Sequence, residues 1–214
     1  MKNNLLYSLI IVGVVAFGCK SGNNGSNDTT AMNDTSSADS LVQEDSTMGG
    51  MMNAAHTTME MLDSMKLTGD PDYDFATMMS LHHKGGIAMN LDEIKNGSDS
   101  VTKAVAKQIK EGQEKDLQDL QKFTAGNTPK QTNQEFLDDI KTNMQKAKDN
   151  MDKNMRRTGN FDKDFVSLMT MHHQHGLDMA KAEVKHGKNA DLKKLAQQMI
   201  DQQEKERKQL ADIK

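Results

Sequence analysis

Residues 169–179 read MTMHHQHGLDM, and residues 79–89 read MSLHHKGGIAM. Each stretch carries a His-His pair, with a methionine four residues before the second histidine and another six after it. Imidazole nitrogen and thioether sulfur together suit Cu(I) or Ag(I), and thiolate is scarce, because the chain has 18 methionines and a single cysteine. On a helix, residues three, four and seven apart return to nearly the same face. Met78, His82 and Met89 therefore share one stripe, and Met79 and His83 the next. In the second stretch His172, His175 and Met179 form a stripe, Met169 and His173 its neighbour, and Met171 lies off the first.

The primary candidate ligands are His82, His83 and Met89, with His172, His173 and Met179. Met79 and Met169 come next, each one helical turn before the second histidine of its pair. His175 is a further candidate, although Gly85 stands at the matching position. His56 is another, because Met52, His56 and Met59 are spaced four and three apart in MGGMMNAAHTTMEMLDSM, residues 48–65. The corresponding later region holds Met144, Met151 and Met155 without a histidine. Paired histidines stand about 100° apart on a helix, so the two members serve different sites, or one ligates while the other packs. Spacing leaves open whether there is one metal site per stretch or one shared between them. Cu(I) is the expected ion, and Ag(I) or Zn(II) are the alternatives. Zinc would find histidines but not the cysteines it usually takes. The plainer account is a methionine-rich helical core with histidines as ordinary surface residues, which makes the protein a scaffold or interaction bundle.

Catalytic patterns are sparse. There is no His-Glu-x-x-His and no Gly-x-Ser-x-Gly. His172 and His175 could exchange a proton, but no nucleophile is spaced to use it. A di-iron carboxylate bundle needs Glu-x-x-His on two helices, and only Glu183–His186 provides one, since Glu93 is followed by Asn96. A metal-dependent oxidase is thus a minor alternative, and the expectation is a protein that is not an enzyme.

The elements that must position these residues are legible from an internal repeat. Residues 69–123 laid on 159–213 without a gap share 19 of 55 positions, each ninety apart. Duplication at one fixed offset requires both copies to take the same fold. In each copy Asp72 or Asp162 is expected to cap a helix ending near Asn96 or His186, with Gly97 or Gly187 as a left-handed terminal residue. Second helices are expected over 99–122 and 189–212, on apolar spacings of three and four. Earlier helical stretches cover about 50–67 and 133–157. Glycines 85, 86 and 176 inside the histidine helices suggest close approach of a neighbour. No alternating strand pattern stands out. The fold class is all-α, a bundle of two repeated helical units, 48–123 and 132–214, joined by a linker over 124–131.

The motifs resemble the bacterial domain-of-unknown-function family numbered 305, in FVSLMTMHHQHGLDMA followed by LAQQMIDQQEKE, and in FATMMSLHHKGGIAMN followed by VAKQIKEGQEKD. The family pattern has a His-His pair, a following methionine and a closing Gln-x-x-Glu. It falls on His172, His173, Met179, Gln203 and Glu206, and on His82, His83, Met89 and Gln113 with Asp116 in place of the glutamate. The resemblance implies a ferritin-like helical bundle and an exported copper- or silver-binding protein using histidine and methionine.

The first residues, MKNNLLYSLIIVGVVAFGCK, have the form of a secretory signal over 1–18, and AFGC resembles a bacterial lipoprotein cleavage box. Cys19 is then the lipidated residue, which anchors the protein to a membrane of the cell envelope with its domain outside the cytoplasm. Residues 19–47 are rich in Ser, Asn, Asp, Thr and Gly and read as a disordered tether. Loss of Lys2 with the signal takes the formal net charge from −4 to −5, which argues against nucleic acid as a partner. Expected partners are the metal ion and the membrane, and a homodimer is compatible with the pattern.

Overall fold

The computed structural model describes residues 49–213; Cys19, the signal and the tether lie outside them. Six helices follow one another: α1 (Gly50–Asp63), α2 (Pro71–Asn96), α3 (Ser100–Gly126), α4 (Gln134–Asn154), α5 (Phe161–His186) and α6 (Ala190–Asp212). No strand occurs among the described residues. The fold is an all-α bundle of two matched triples. In each triple the second and third helices form a hairpin, and the copies meet chiefly where α2 packs against α5, with a smaller contact of α3 on α6. Helices α1 and α4 lie on the outside, against α2 and α5.

The turns that start α2 and α5 follow from sequence. Gly69 and Gly159 take φ of +87° and +82°, a backbone that favours glycine. Asp74 accepts from the backbone and hydroxyl of Thr68 and from the Gly69 amide, and Asp164 does the same for Thr158. The N-caps are Asp70 and Asn160, whose side chains accept from the amides of Tyr73 and Lys163. The expectation that Asp72 and Asp162 cap these helices is therefore corrected by two residues. Both sit in the first turn and reach across to the other copy. Asp162 accepts from the Ser98 amide, the Ser98 hydroxyl and the Asp99 amide, just before α3. Asp72 accepts from the amides of Lys188 and Asn189, just before α6.

Gly97 and Gly187 also differ from expectation. Their φ values are −60° and −58°, so neither is left-handed. A Cβ there would collide with the side chain of Glu93 or Glu183 and would meet that residue's carbonyl oxygen at 2.7 Å. These glycines give room to a buried carboxyl group. The helix ends shift as well: α1 stops at Asp63, α3 continues to Gly126, and α4 spans Gln134–Asn154. Residues 127–133 connect the copies, held by Asp70, which accepts from the Lys130 and Gln131 amides.

Two apolar clusters fill the bundle. One holds Phe75, Met79, Leu120, Phe136, Leu177 and Met199. The other holds Met51, Met89, Ile109, Phe165, Met169 and Leu210. The first half of α2 and the second half of α5 share the first cluster, so the two helices run antiparallel. Each such side chain contributes roughly 1.5–3 kcal/mol on full burial. The histidines lie between the two clusters, at the crossing of α2 and α5.

Candidate metal centre

The crossing brings the first histidine of each pair onto the first histidine of the other. His82 and His172 stack with ring centres 3.6 Å apart and planes 8° from parallel. Two glycines permit this. A Cβ on Gly86 would stand 2.5 Å from His172 Nε2, and one on Gly176 would stand 3.0 Å from His82 Cε1. These glycines are ninety apart, like the histidines they admit, so the repeat places each copy's ring over the other copy's helix. His175 then approaches His82 edge-on, with ring centres 5.3 Å apart at 78°.

Beside the stack lies a cavity of about 40 Å³, lined in part by His82, His172 and His175 and by the four methionines Met59, Met89, Met151 and Met171. A space of that size holds one water molecule or one ion. The helices supply it unequally: α1 gives Met59, α2 gives His82 and Met89, α4 gives Met151, and α5 gives Met171, His172 and His175. Burial, with the neighbouring imidazoles adding to it, holds His82 and His172 well below the ordinary histidine value, and burial takes His175 down to about 4. All three rings are neutral at neutral pH, the state in which imidazole offers a lone pair. Buried ring nitrogens without a hydrogen-bond partner include His82 Nδ1 and His175 Nε2. Each such orphan costs about 1–3 kcal/mol.

The second histidine of each pair turns the other way, toward the last helix of its own copy. His173 Nε2 lies 2.7 Å from Glu206 Oε2, with both side chains buried. His83 Nε2 lies 3.6 Å from Asp116 Oδ2. The shorter aspartate leaves a gap where the glutamate closes one, and neither nitrogen of His83 has a hydrogen-bond partner.

Of the residues singled out from sequence, the cavity gathers His82, His172, His175 and Met89. Met79 and Met179 are buried in one apolar cluster and Met169 in the other. His56 is exposed on α1. Its spacing partners separate too, for Met59 reaches the cavity while Met52 packs on the second cluster. Met59, Met151 and Met171 are not among the candidate ligands read from sequence. Met171 directly precedes His172, and Met151 lies on a helix whose docking no local spacing reveals. A separate group, Glu135, Asp139 and His186, has ligand atoms within 4.8 Å of one another. There Lys185 Nζ already stands 2.8 Å from both carboxylates, so their charge is met by a cation of the chain itself. Among the described residues no helix is long and apolar enough to cross a membrane.

The family described as Domain of unknown function (DUF305) matches the chain twice, over residues 21–124 and 125–214. The chain belongs to the DUF305 family. Among solved structures it is similar to the crystal structure of a DUF305 fragment from Deinococcus radiodurans. The identity is 15%, the TM-score is 0.50, and the match covers 67% of this chain and 94% of that one. At that identity the likeness concerns the fold. No curated protein matches the chain.

Proposed function

We propose that this DUF305 protein binds a soft monovalent ion, Cu(I) or Ag(I), and sequesters or hands it on without catalysing a reaction. The observation that carries the reading is the cavity at the α2–α5 crossing, where three neutral imidazoles and four thioethers surround space for one ion. A scaffold gains nothing from burying imidazoles with unpartnered nitrogens, each at a cost of about 1–3 kcal/mol. Thioether ligands favour a soft ion over zinc, which prefers cysteine, histidine or carboxylate. One cavity fed by both copies supports one shared ion rather than one per repeat. Export and lipidation at Cys19 complete the proposal and place the site outside the cytoplasm, with Cys19 joined to an envelope membrane.

Anaerobic Cu(I) titration against a competing chelator tests it. The expected stoichiometry is one, with binding lost in the His82/His83 double alanine variant and weakened in the His172/His173 one, which removes the stacking ring. A double variant of Met89 and Met171, which both line the cavity, separates thioether from imidazole ligation. Unchanged affinity in both histidine variants would overturn the assignment, and Zn(II) binding without Cu(I) binding would reject the soft-metal reading. Mass spectrometry of the mature N-terminus tests the anchor, which requires a lipid-modified Cys19.

A further inference from the structure

The hydrogen bonds around the stack distinguish its two rings. Asn90 sits one turn after Gly86, and its Nδ2 donates to the Gly86 carbonyl at 2.7 Å. A carbonyl only accepts, so this contact fixes which end of the Asn90 amide is NH₂. The same Nδ2 meets Gln113 Oε1 at 3.2 Å. That fixes the Gln113 amide in turn and leaves its Nε2 facing His172 Nε2 at 3.4 Å. An amide NH₂ only donates, so His172 Nε2 is the acceptor and its lone pair is engaged. His82 has the opposite polarity. Its Nε2 lies 3.1 Å from the His172 carbonyl oxygen, so Nε2 carries the hydrogen. Its lone pair is on Nδ1, which is buried and has no partner.

The repeat shows why the two rings differ. The position matching Asn90 is Ala180, and the position matching Gln113 is Gln203. Without an asparagine to orient it, the Gln203 amide leaves its Oε1 unpartnered and engages no nitrogen of His82. One substitution between copies thus frees one ring of the stack and locks the other.

Ring geometry points the same way. Near-parallel rings 3.6 Å apart direct their in-plane lone pairs along parallel planes, which do not converge on one ion. Two imidazoles sharing an ion at about 2 Å, with a bent angle between them, have centres about 5 Å apart. His82 and His175 stand 5.3 Å apart and edge-on. His175 Nε2 is buried and has no partner, and both rings line the cavity.

We infer that the nitrogen ligands of the shared site are Nδ1 of His82 and Nε2 of His175, with the cavity thioethers completing the set, and that His172 is a positioning residue held by the Asn90–Gln113 pair. The inference rests on the soft-ion reading above. It gives the site a two-nitrogen, thioether-rich donor set, and one of its two nitrogens comes from the histidine without a counterpart in the first copy.

Long-range ¹H–¹⁵N spectra of the full chain labelled at histidine, recorded before and after adding Ag(I), test this. In the metal-free protein His82 should show hydrogen on Nε2, and His172 hydrogen on Nδ1. One equivalent of Ag(I) should shift His82 Nδ1 and His175 Nε2 and leave the His172 tautomer unchanged. His175→Gly, which copies the residue at position 85, should weaken Ag(I) binding beyond the roughly 10–100-fold that loss of an outer partner costs. Gln113→Leu should release the His172 tautomer while, like the loss of the ring nitrogens themselves, leaving Ag(I) binding in place. His172→Phe keeps a stacking ring without nitrogen and should retain binding. If that variant fails to fold, the spectra of the unmodified chain still decide. An Ag(I) shift at His172 Nε2, or full binding by His175→Gly, overturns this assignment alone. No Ag(I) shift on any histidine of the unmodified chain overturns the soft-ion reading and the assignment with it.

Discussion

Among the described residues Glu206 is the only carboxylate within ion-pair reach of the fully buried His173 imidazole, and replacing it with alanine removes that contact. Leaving a buried polar group unmet costs about 1–3 kcal/mol, so Glu206→Ala should destabilise the protein by that amount. Asp116→Ala should cost about 1 kcal/mol or less, because its contact with His83 is a longer 3.6 Å and the aspartate is 13% exposed. Chemical denaturation of the two variants checks the order, and an equal loss would mean that the gap in the first copy does not matter. The sequence makes the His-His pairs visible as chemistry and allows the two members different duties. It does not say which member faces the partner copy. That depends on how α2 crosses α5, and the crossing is set by glycines that each receive a ring from the other copy. His175 is ranked low on sequence because Gly85 stands at its counterpart. The structure explains the difference, since Gly85 admits the Thr58 hydroxyl from α1 while His175 fills the equivalent place beside the stack.

Among the elements, the hairpins were readable because apolar spacing and a fixed repeat both specify them. The first-turn aspartates were not, because a cap and a residue two places inside a helix look alike in sequence. Asp162 marks the difference: it accepts three hydrogen bonds from Ser98 and Asp99 of the other copy. Burial works to raise its carboxyl, yet the bonds from Ser98 and Asp99 outweigh that and hold it down at about 2. Asp162→Ala should therefore loosen the start of α3 rather than the start of α5. The expected cost is about 1–3 kcal/mol, the range for lost caps and buried hydrogen bonds. Amide hydrogen exchange should quicken at residues 98–99 while the first turn of α5 keeps its protection. The reverse pattern would return Asp162 to the role of an ordinary cap.

At the scale of the molecule, the two copies meet through a neutral histidine layer and through a buried glutamate near each end of the antiparallel pair. Glu93 is pushed up to about 8 by burial and by the neighbouring Asp162, and Glu183 to about 9 by burial and by Asp72. Glycines 97 and 187 make room for both carboxyls. In the unfolded chain these glutamates titrate near their ordinary 4.5. Above that pH the folded state keeps protons that the unfolded state has released, so stability falls as pH rises. The contribution is complete below 4.5 and is lost once pH has passed through 8 to 9. His82, His172 and His175 act in the opposite direction, because their folded values lie below the ordinary 6.5. Their contribution is present above 6.5 and is lost as pH falls toward 4. Between 4.5 and 6.5 the two sets oppose each other, and above 6.5 the glutamates act against constant histidines. The metal-free protein should therefore melt at a lower temperature at pH 9 than at pH 6.5. In the Glu93→Gln/Glu183→Gln double variant, which keeps an uncharged group of the same shape, most of that fall should disappear. Thermal unfolding of both proteins at the two pH values is the measurement. An equal fall in the double variant would assign the alkaline loss to other groups and remove the glutamates from the account of how the copies hold together.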